Sequence, residues 1–250
     1  RPKNKPEGTK KLSLIGKGVI LDTGGLSLKT DGQMERMHYD MAGAATVAGV
    51  FRLAVEKNLA VELVALLPIV ENAIGPDAIR LGDIITAHDG QTVEITDTDS
   101  EGRLILADAL AYSEKVVRPD AVVTVATLCD MEEFGPDFLK VMTNDYKLLR
   151  RMRIAESHSH EKMLPFPLLD HFDNVSDLFT GTESDLVNEC GYHYHAGMIF
   201  ISRFLQWDPS TPWLYLDVAA VFESDADDYG AGPGFGVRYL WRFVEQFART

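Results

Sequence analysis

Asp99, Glu101 and Arg103 stand on alternate residues of Thr98-Asp99-Ser100-Glu101-Gly102-Arg103, which runs straight into the apolar Leu104-Ile105-Leu106. Alternate side chains on extended backbone point the same way, so the pattern sets two carboxylates side by side. Such a pair repels unless positive charge lies between its members. A divalent cation, with its preference for hard oxygen ligands, is one source of that charge. The same hexapeptide also reads as a solvated acidic turn that starts a helix, with Ser100 or Asp99 as N-cap. Upstream, Lys17 sits between glycines at the end of the apolar run from Leu12 to Ile15. Asp22 precedes Thr23-Gly24-Gly25, where backbone can turn sharply and approach a ligand. Lys29 follows in Leu26-Ser27-Leu28-Lys29, and Asp40 opens the small-residue run Met41-Ala42-Gly43-Ala44-Ala45. Each piece alone is common in loops. Together they put acidic residues and lysines at strand ends and helix starts, where open α/β sheets keep their sites.

This set resembles the catalytic domain of the leucyl aminopeptidase family, the di-zinc cytosolic aminopeptidases. The family signature Asn-Thr-Asp-Ala-Glu-Gly-Arg-Leu is matched by Asp97-Thr98-Asp99-Ser100-Glu101-Gly102-Arg103-Leu104, with Asp and Ser at two positions that are not ligands. Gly16-Lys17-Gly18, Asp22-Thr23-Gly24-Gly25, Ser27-Leu28-Lys29 and Asp40-Met41-Ala42-Gly43-Ala44-Ala45 follow in family order. Further matches are Glu71-Asn72-Ala73, Leu81-Gly82-Asp83-Ile84, Ala126-Thr127-Leu128 and Gly230-Ala231-Gly232. The resemblance implies two divalent metal ions, Zn or Mn, with Mg or Co at an exchangeable site. One ion would be held by Asp22, Asp99 and Glu101 and the other by Lys17, Asp22, Asp40 and Glu101, with Asp22 and Glu101 bridging. Lys29 would steady the tetrahedral oxyanion, and Arg103 would hold a bicarbonate that carries the proton. The reaction implied is metal-assisted removal of the N-terminal residue from peptides. The alternatives are a catalytically weak homologue with a structural or regulatory role, and another two-metal hydrolase such as a phosphoesterase. A lysine ligand speaks against the last.

Substrate binding is expected from Met37, Thr127, Leu128 and Asp130. The usual Ala-Thr-Leu-Thr-Gly-Ala is Ala126-Thr127-Leu128-Cys129-Asp130-Met131 here, so a carboxylate replaces a pocket glycine. Asp130 would narrow the pocket or favour a basic N-terminal residue; the plainer reading points it to solvent. His193 and His195, at i, i+2, have the spacing to hold zinc, but the matching region in the family carries no ligands. His158 and His160 read as surface residues. Cys129, a free thiol beside the pocket, is open to oxidation or stray metal capture.

The elements that must position these groups alternate. Strand-like runs are 12–21, 61–68, 92–95, 121–127 and 213–220; helix-like runs are 42–57, 102–116, 136–156, 196–205 and 236–247. The 3.6-residue period is clearest at Val47, Val50, Phe51 and Ala54. Alternation implies an α/β fold, a mixed, largely parallel central sheet with helices on both faces in three layers. At 250 residues and 46% hydrophobic, the chain is long enough for one sizeable core. Two cysteines suggest no disulfide framework, and a cytoplasmic location fits. A net charge of −14 argues against nucleic acid as partner, and no run reaches the roughly 20 apolar residues of a membrane span. Residues 1–11 read as a loop leading in from a missing N-terminal segment or domain, and 12–250 as the catalytic domain. A homo-hexamer is implied by the resemblance.

Overall fold

The computed structural model describes residues 7–30, 32–128, 138–167, 179–189, 196–205, 211–219 and 234–249. Its centre is a six-stranded mixed sheet. Strands β1 (Lys11–Gly16), β3 (Glu62–Leu66), β7 (Ala121–Ala126) and β11 (Trp213–Asp217) run parallel, in the order β3-β1-β7-β11. Antiparallel to β11 lies β8 (Phe138–Thr143), which pairs in parallel with the edge strand β9 (Lys162–Pro167). The sheet is therefore mixed and largely parallel, as the alternation of elements predicts.

Side-chain alternation along the strands sorts the core into two layers. Leu12, Leu14, Val123, Val125, Leu214 and Leu216 face one side. There they pack on α1 (Ala42–Glu56), α3 (Tyr146–Ser159) and α5 (Val237–Phe247) through Val47, Val50, Met152, Leu240 and Phe243. Ile15, Val122, Ala126, Trp213 and Tyr215 face the other side, against α2 (Glu101–Tyr112) and α4 (Ala196–Ser202) through Leu106, Leu110, Met198 and Phe200. Both faces are covered, which is why the central strands read as continuous apolar runs.

Two expectations are corrected. The run 12–21 is not one strand. It breaks at Lys17, after which β2 (Gly18–Asp22) leaves the main sheet and pairs with β4 (Ile69–Asn72). Gly18 permits that pairing, since a Cβ there would lie 2.7 Å from the Pro68 carbonyl oxygen. The run 136–156 is not one helix. Strand β8 precedes α3, whose N-cap Asp145 accepts from the Leu148 amide at 3.0 Å. Lys140, buried in the middle of β8, masks the strand's period. The short strands β4, β5 (Ile84–Thr86), β6 (Thr92–Glu94) and β10 (Leu186–Val187) form small sheets beside the main one. None of the described helices is long and apolar enough to cross a membrane.

Candidate functional site

The C-terminal ends of β1 and β7 point at one spot. Lys17 follows β1 directly, and its amide donates to the Val125 carbonyl at 2.9 Å while its own carbonyl accepts from Ala44 at 2.8 Å. That splice between β7 and α1 fixes where the Lys17 side chain starts. Its ammonium lies 2.7 Å from Asp40 Oδ2, 3.1 Å from Glu101 Oε1 and 3.2 Å from the Thr127 carbonyl. Thr127 Oγ donates to Asp40 Oδ1 at 2.6 Å. Gly102 is what lets α2 come this close: a Cβ there would fall 2.3 Å from Lys17 Cε and 2.8 Å from Leu128 Cδ2.

Lys29 centres a second cluster, with its ammonium 3.0 Å from Asp22 Oδ2 and 2.6 Å from Asp99 Oδ1. The loop after β2 is stitched to the lead-in of α2 for this purpose. Thr98 Oγ donates to the Gly24 carbonyl at 2.6 Å, and the Ser27 amide donates to Thr98 Oγ at 2.7 Å. Gly24, at φ +82°, takes the left-handed conformation that turns its amide onto Asp22 Oδ1 at 2.9 Å. Between the clusters, Asn72 Nδ2 donates to Asp22 Oδ1 at 2.8 Å, and it lies 3.3 Å from Glu101 Oε2.

The backbone at 98–103 is not extended, which corrects the alternate-residue reading of Asp99, Glu101 and Arg103. Thr98–Ser100 form a 3-10 turn, and Glu101 opens α2. Ser100 is the N-cap residue of α2 but makes no capping bond with its side chain, whereas Asp97 caps the 3-10 turn by accepting from the Asp99 amide at 3.1 Å. Asp99 and Glu101 still converge with Asp22, each offering an oxygen within 4.8 Å of the others. Arg103 turns away from them, its Nη1 donating to the Asn188 carbonyl at 2.7 Å and pairing with Glu189 Oε2 at 2.9 Å.

This crowding of acid in a buried place perturbs the carboxyls. Burial raises the Asp40 pKa to about 7, with Glu101 adding to the rise and Lys17 opposing it. Burial also lifts Asp99 to about 6 against the opposing pull of Lys29. For Lys17, burial favours the neutral amine, but Glu101 and Asp40 outweigh it and hold the pKa above its ordinary value. Lys29 is raised likewise, burial being outweighed by Asp99 and Asp22. The donor set is all hard oxygen and amine, so it fits divalent cations.

A pocket of about 270 Å³ opens over these groups, and Met37, Thr127 and Leu128 line it with Gln33 and Ala219. Asp130, Cys129, His193, His195 and Gly230-Ala231-Gly232 lie outside the described residues. His158 is exposed on α3 with Nδ1 2.8 Å from the Ile154 carbonyl, and His160 ends that helix at φ +62°. Neither joins the site. Sequence reasoning gave no role to Glu189 or Asn188, because pairing with Arg103 depends on β10 lying beside β6. Asn72 stood within a quoted motif, and only its place between two carboxylates shows what it does.

The sequence profile of the cytosol aminopeptidase family, catalytic domain, matches residues 2–241. The chain belongs to this family. A probable cytosol aminopeptidase of Phytoplasma australiense is 36% identical over 250 residues, covering 96% of this chain and 50% of that protein. Among solved structures of this kind, the leucine aminopeptidase of Caenorhabditis elegans superposes with a TM-score of 0.87 at 30% identity, over 98% of this chain and 50% of that one. The bottromycin maturation enzyme BotP in complex with Mn gives 0.86 at 33% identity, over 98% of this chain and 55% of that one. The chain thus spans about half the length of the cytosol aminopeptidases it matches.

Proposed function

We propose that this chain is the catalytic part of a metal-dependent aminopeptidase that releases the N-terminal residue from peptides. The observation that carries the reading is the convergence of Asp22, Asp99 and Glu101 oxygens within 4.8 Å, in a pocket whose other charged walls are Lys17, Lys29, Asp40 and Arg103. The Mn held by a structural neighbour supports a metal here. Two ions, Zn or Mn, with Mg or Co exchangeable at one position, would be held by Asp22, Asp99 and Glu101 and by Lys17, Asp22, Asp40 and Glu101. When bound, they supply Lewis-acid polarisation of the scissile carbonyl and activation of a water nucleophile.

The residues of the chain supply the rest. Lys17 donates a lone pair only as the neutral amine, and adjacent dications are what would favour loss of its proton against Glu101 and Asp40. Lys29 carries a fixed positive charge on the pocket wall, where negative charge would develop on the substrate carbonyl oxygen. Asn72 holds Asp22 beside Glu101, and Thr127 aims Asp40 at Lys17. Met37, Thr127 and Leu128 frame room for a substrate side chain. The bicarbonate implied for Arg103 does not fit its surroundings, because the Glu189 carboxylate is already paired with the guanidinium.

Assembly into a homo-hexamer and a cytoplasmic location belong to the same proposal. Exposed Ile20, Leu21, Ile69 and Val70 on the β2–β4 pair support burial against another chain, and the cytosol aminopeptidase names of relatives support the location. Steady-state hydrolysis of Leu-, Arg- and N-acetyl-Leu-amide reporters tests the reading, with added Zn²⁺ or Mn²⁺ and after chelation. The expected result is metal-dependent cleavage of the free-amine reporters alone. A folded, metal-loaded protein with no turnover would overturn it.

A further inference from the structure

We propose that the anion bound by Arg103 in this protein is its own Glu189, and that no external bicarbonate is taken up there. The consequence for catalysis rests on the aminopeptidase reading, but occupancy at Arg103 is measurable without turnover. The Arg103 side chain is only 11% exposed, so its charge is largely withdrawn from water and needs a partner. Nη1 has two acceptors, the Asn188 carbonyl at 2.7 Å and Glu189 Oε2 at 2.9 Å. Ser100 Oγ lies 2.9 Å from the same Glu189 oxygen, which fixes the carboxylate from the α2 side.

The backbone leading to Glu189 is also fixed. Asn188 is fully buried, its Oδ1 accepting from the Thr96 amide at 2.8 Å and its Nδ2 donating to the Asp97 carbonyl at 2.6 Å. Position 189 is thereby tied to the segment that carries Asp97 and Ser100, the lead-in of α2. A carboxylate and a bicarbonate carry the same charge and present planar oxygens, so Glu189 offers the guanidinium what bicarbonate would. A second anion must either displace Glu189 from a charge-assisted bond or sit beside it and be repelled. Arg103 Nε is buried without a hydrogen bond among the described residues, and an anion seated on that edge is the outcome the experiment must exclude.

Isotopically labelled bicarbonate, followed by carbon NMR line broadening, is titrated into the full-length protein and its Glu189→Gln and Arg103→Met variants. Rates on a Leu-amide reporter are read in parallel in carbonate-free buffer with and without bicarbonate. The expected result is no Arg103-dependent broadening in the wild-type protein and no change in its rate. Glu189→Gln, which keeps the shape and removes the charge, then binds bicarbonate at least about tenfold more tightly and is stimulated by it. Wild-type broadening that Arg103→Met abolishes would overturn the proposal, as would a folded Glu189→Gln that binds no better than wild type. Should Glu189→Gln fail to fold, the wild-type comparison with Arg103→Met decides alone. Absence of turnover throughout would count against the aminopeptidase reading and leave the binding result to judge Glu189.

Discussion

Lys17 and Lys29 divide the work of balancing the buried carboxylates, and they differ in how they are confined. Lys17 is walled in by Asp40, Glu101 and the backbone of α2 at Gly102, whereas Lys29 reaches in from a loop. Replacing Gly102 with Ala puts a methyl where Lys17 Cε and Nζ now lie, so the amine must move off its partners. Gly102→Ala is expected to weaken metal binding about 10–100-fold, the usual cost of disturbing the groups that orient ligands. Metal titration by calorimetry, with circular dichroism to confirm the fold, checks it. Lys29 behaves differently, because removing its ammonium leaves Asp22, Asp99 and Glu101 in place. Lys29→Ala is expected to retain metal yet lose roughly 10²–10³ in turnover, the typical loss when one oxyanion-stabilising group is deleted. Elemental analysis beside kinetics separates the two effects, and loss of metal from Lys29→Ala would argue for a structural role instead.

At the scale of elements, the site depends on how α2 begins. Asp97 caps the 3-10 turn through the Asp99 amide, and its other oxygen lies 3.0 Å from Ser100 Oγ. Asn188 in turn clamps Asp97 by its carbonyl. Asp97→Ala is expected to cost about 1 kcal/mol of stability, as for other N-cap deletions, seen as a lower thermal midpoint, with Glu101 less firmly held. The gathering of charged groups in this region was legible in sequence because side-chain type is visible there: Asp22, Asp40, Asp99, Glu101 and the two lysines all reach one pocket. Its backbone was not. Extended spacing would set Asp99 and Glu101 on one side, and the 3-10 turn running into α2 also converges them on Asp22, so the residue types alone could not reveal the turn. The 136–156 run shows the same limit, since a buried Lys140 breaks the apolar alternation that marks a strand. Glu189 and Asn188 were invisible for another reason. Their partners lie 85 to 94 residues away, across a strand pairing of only two residues.

For the whole molecule, the least self-sufficient part is the β2–β4 pair. Two strands alone are marginal in water, and this pair lies outside the six-stranded sheet with Ile20, Leu21, Ile69 and Val70 exposed along it. Yet β2 ends in Asp22 and β4 ends in Asn72, which donates to that same carboxylate. The site therefore leans on strands several of whose apolar side chains, Ile20, Leu21, Ile69 and Val70, are exposed within one chain. Burial of Ile69, 61% exposed here, against a neighbouring copy would supply the missing stabilisation at roughly 25 cal/mol per Å² of apolar surface. Ile69→Asp would instead force a carboxylate into that contact. The expected outcome is a smaller species by light scattering on size-exclusion chromatography, together with weaker metal binding, because loosening β4 frees Asn72 from Asp22. An Ile69→Asp protein of wild-type mass and wild-type metal affinity would show that this face is not an assembly surface. A smaller species that keeps its metal would show instead that the site is rigid without its neighbours, so that assembly serves some other purpose than holding Asp22 and Asn72 in place.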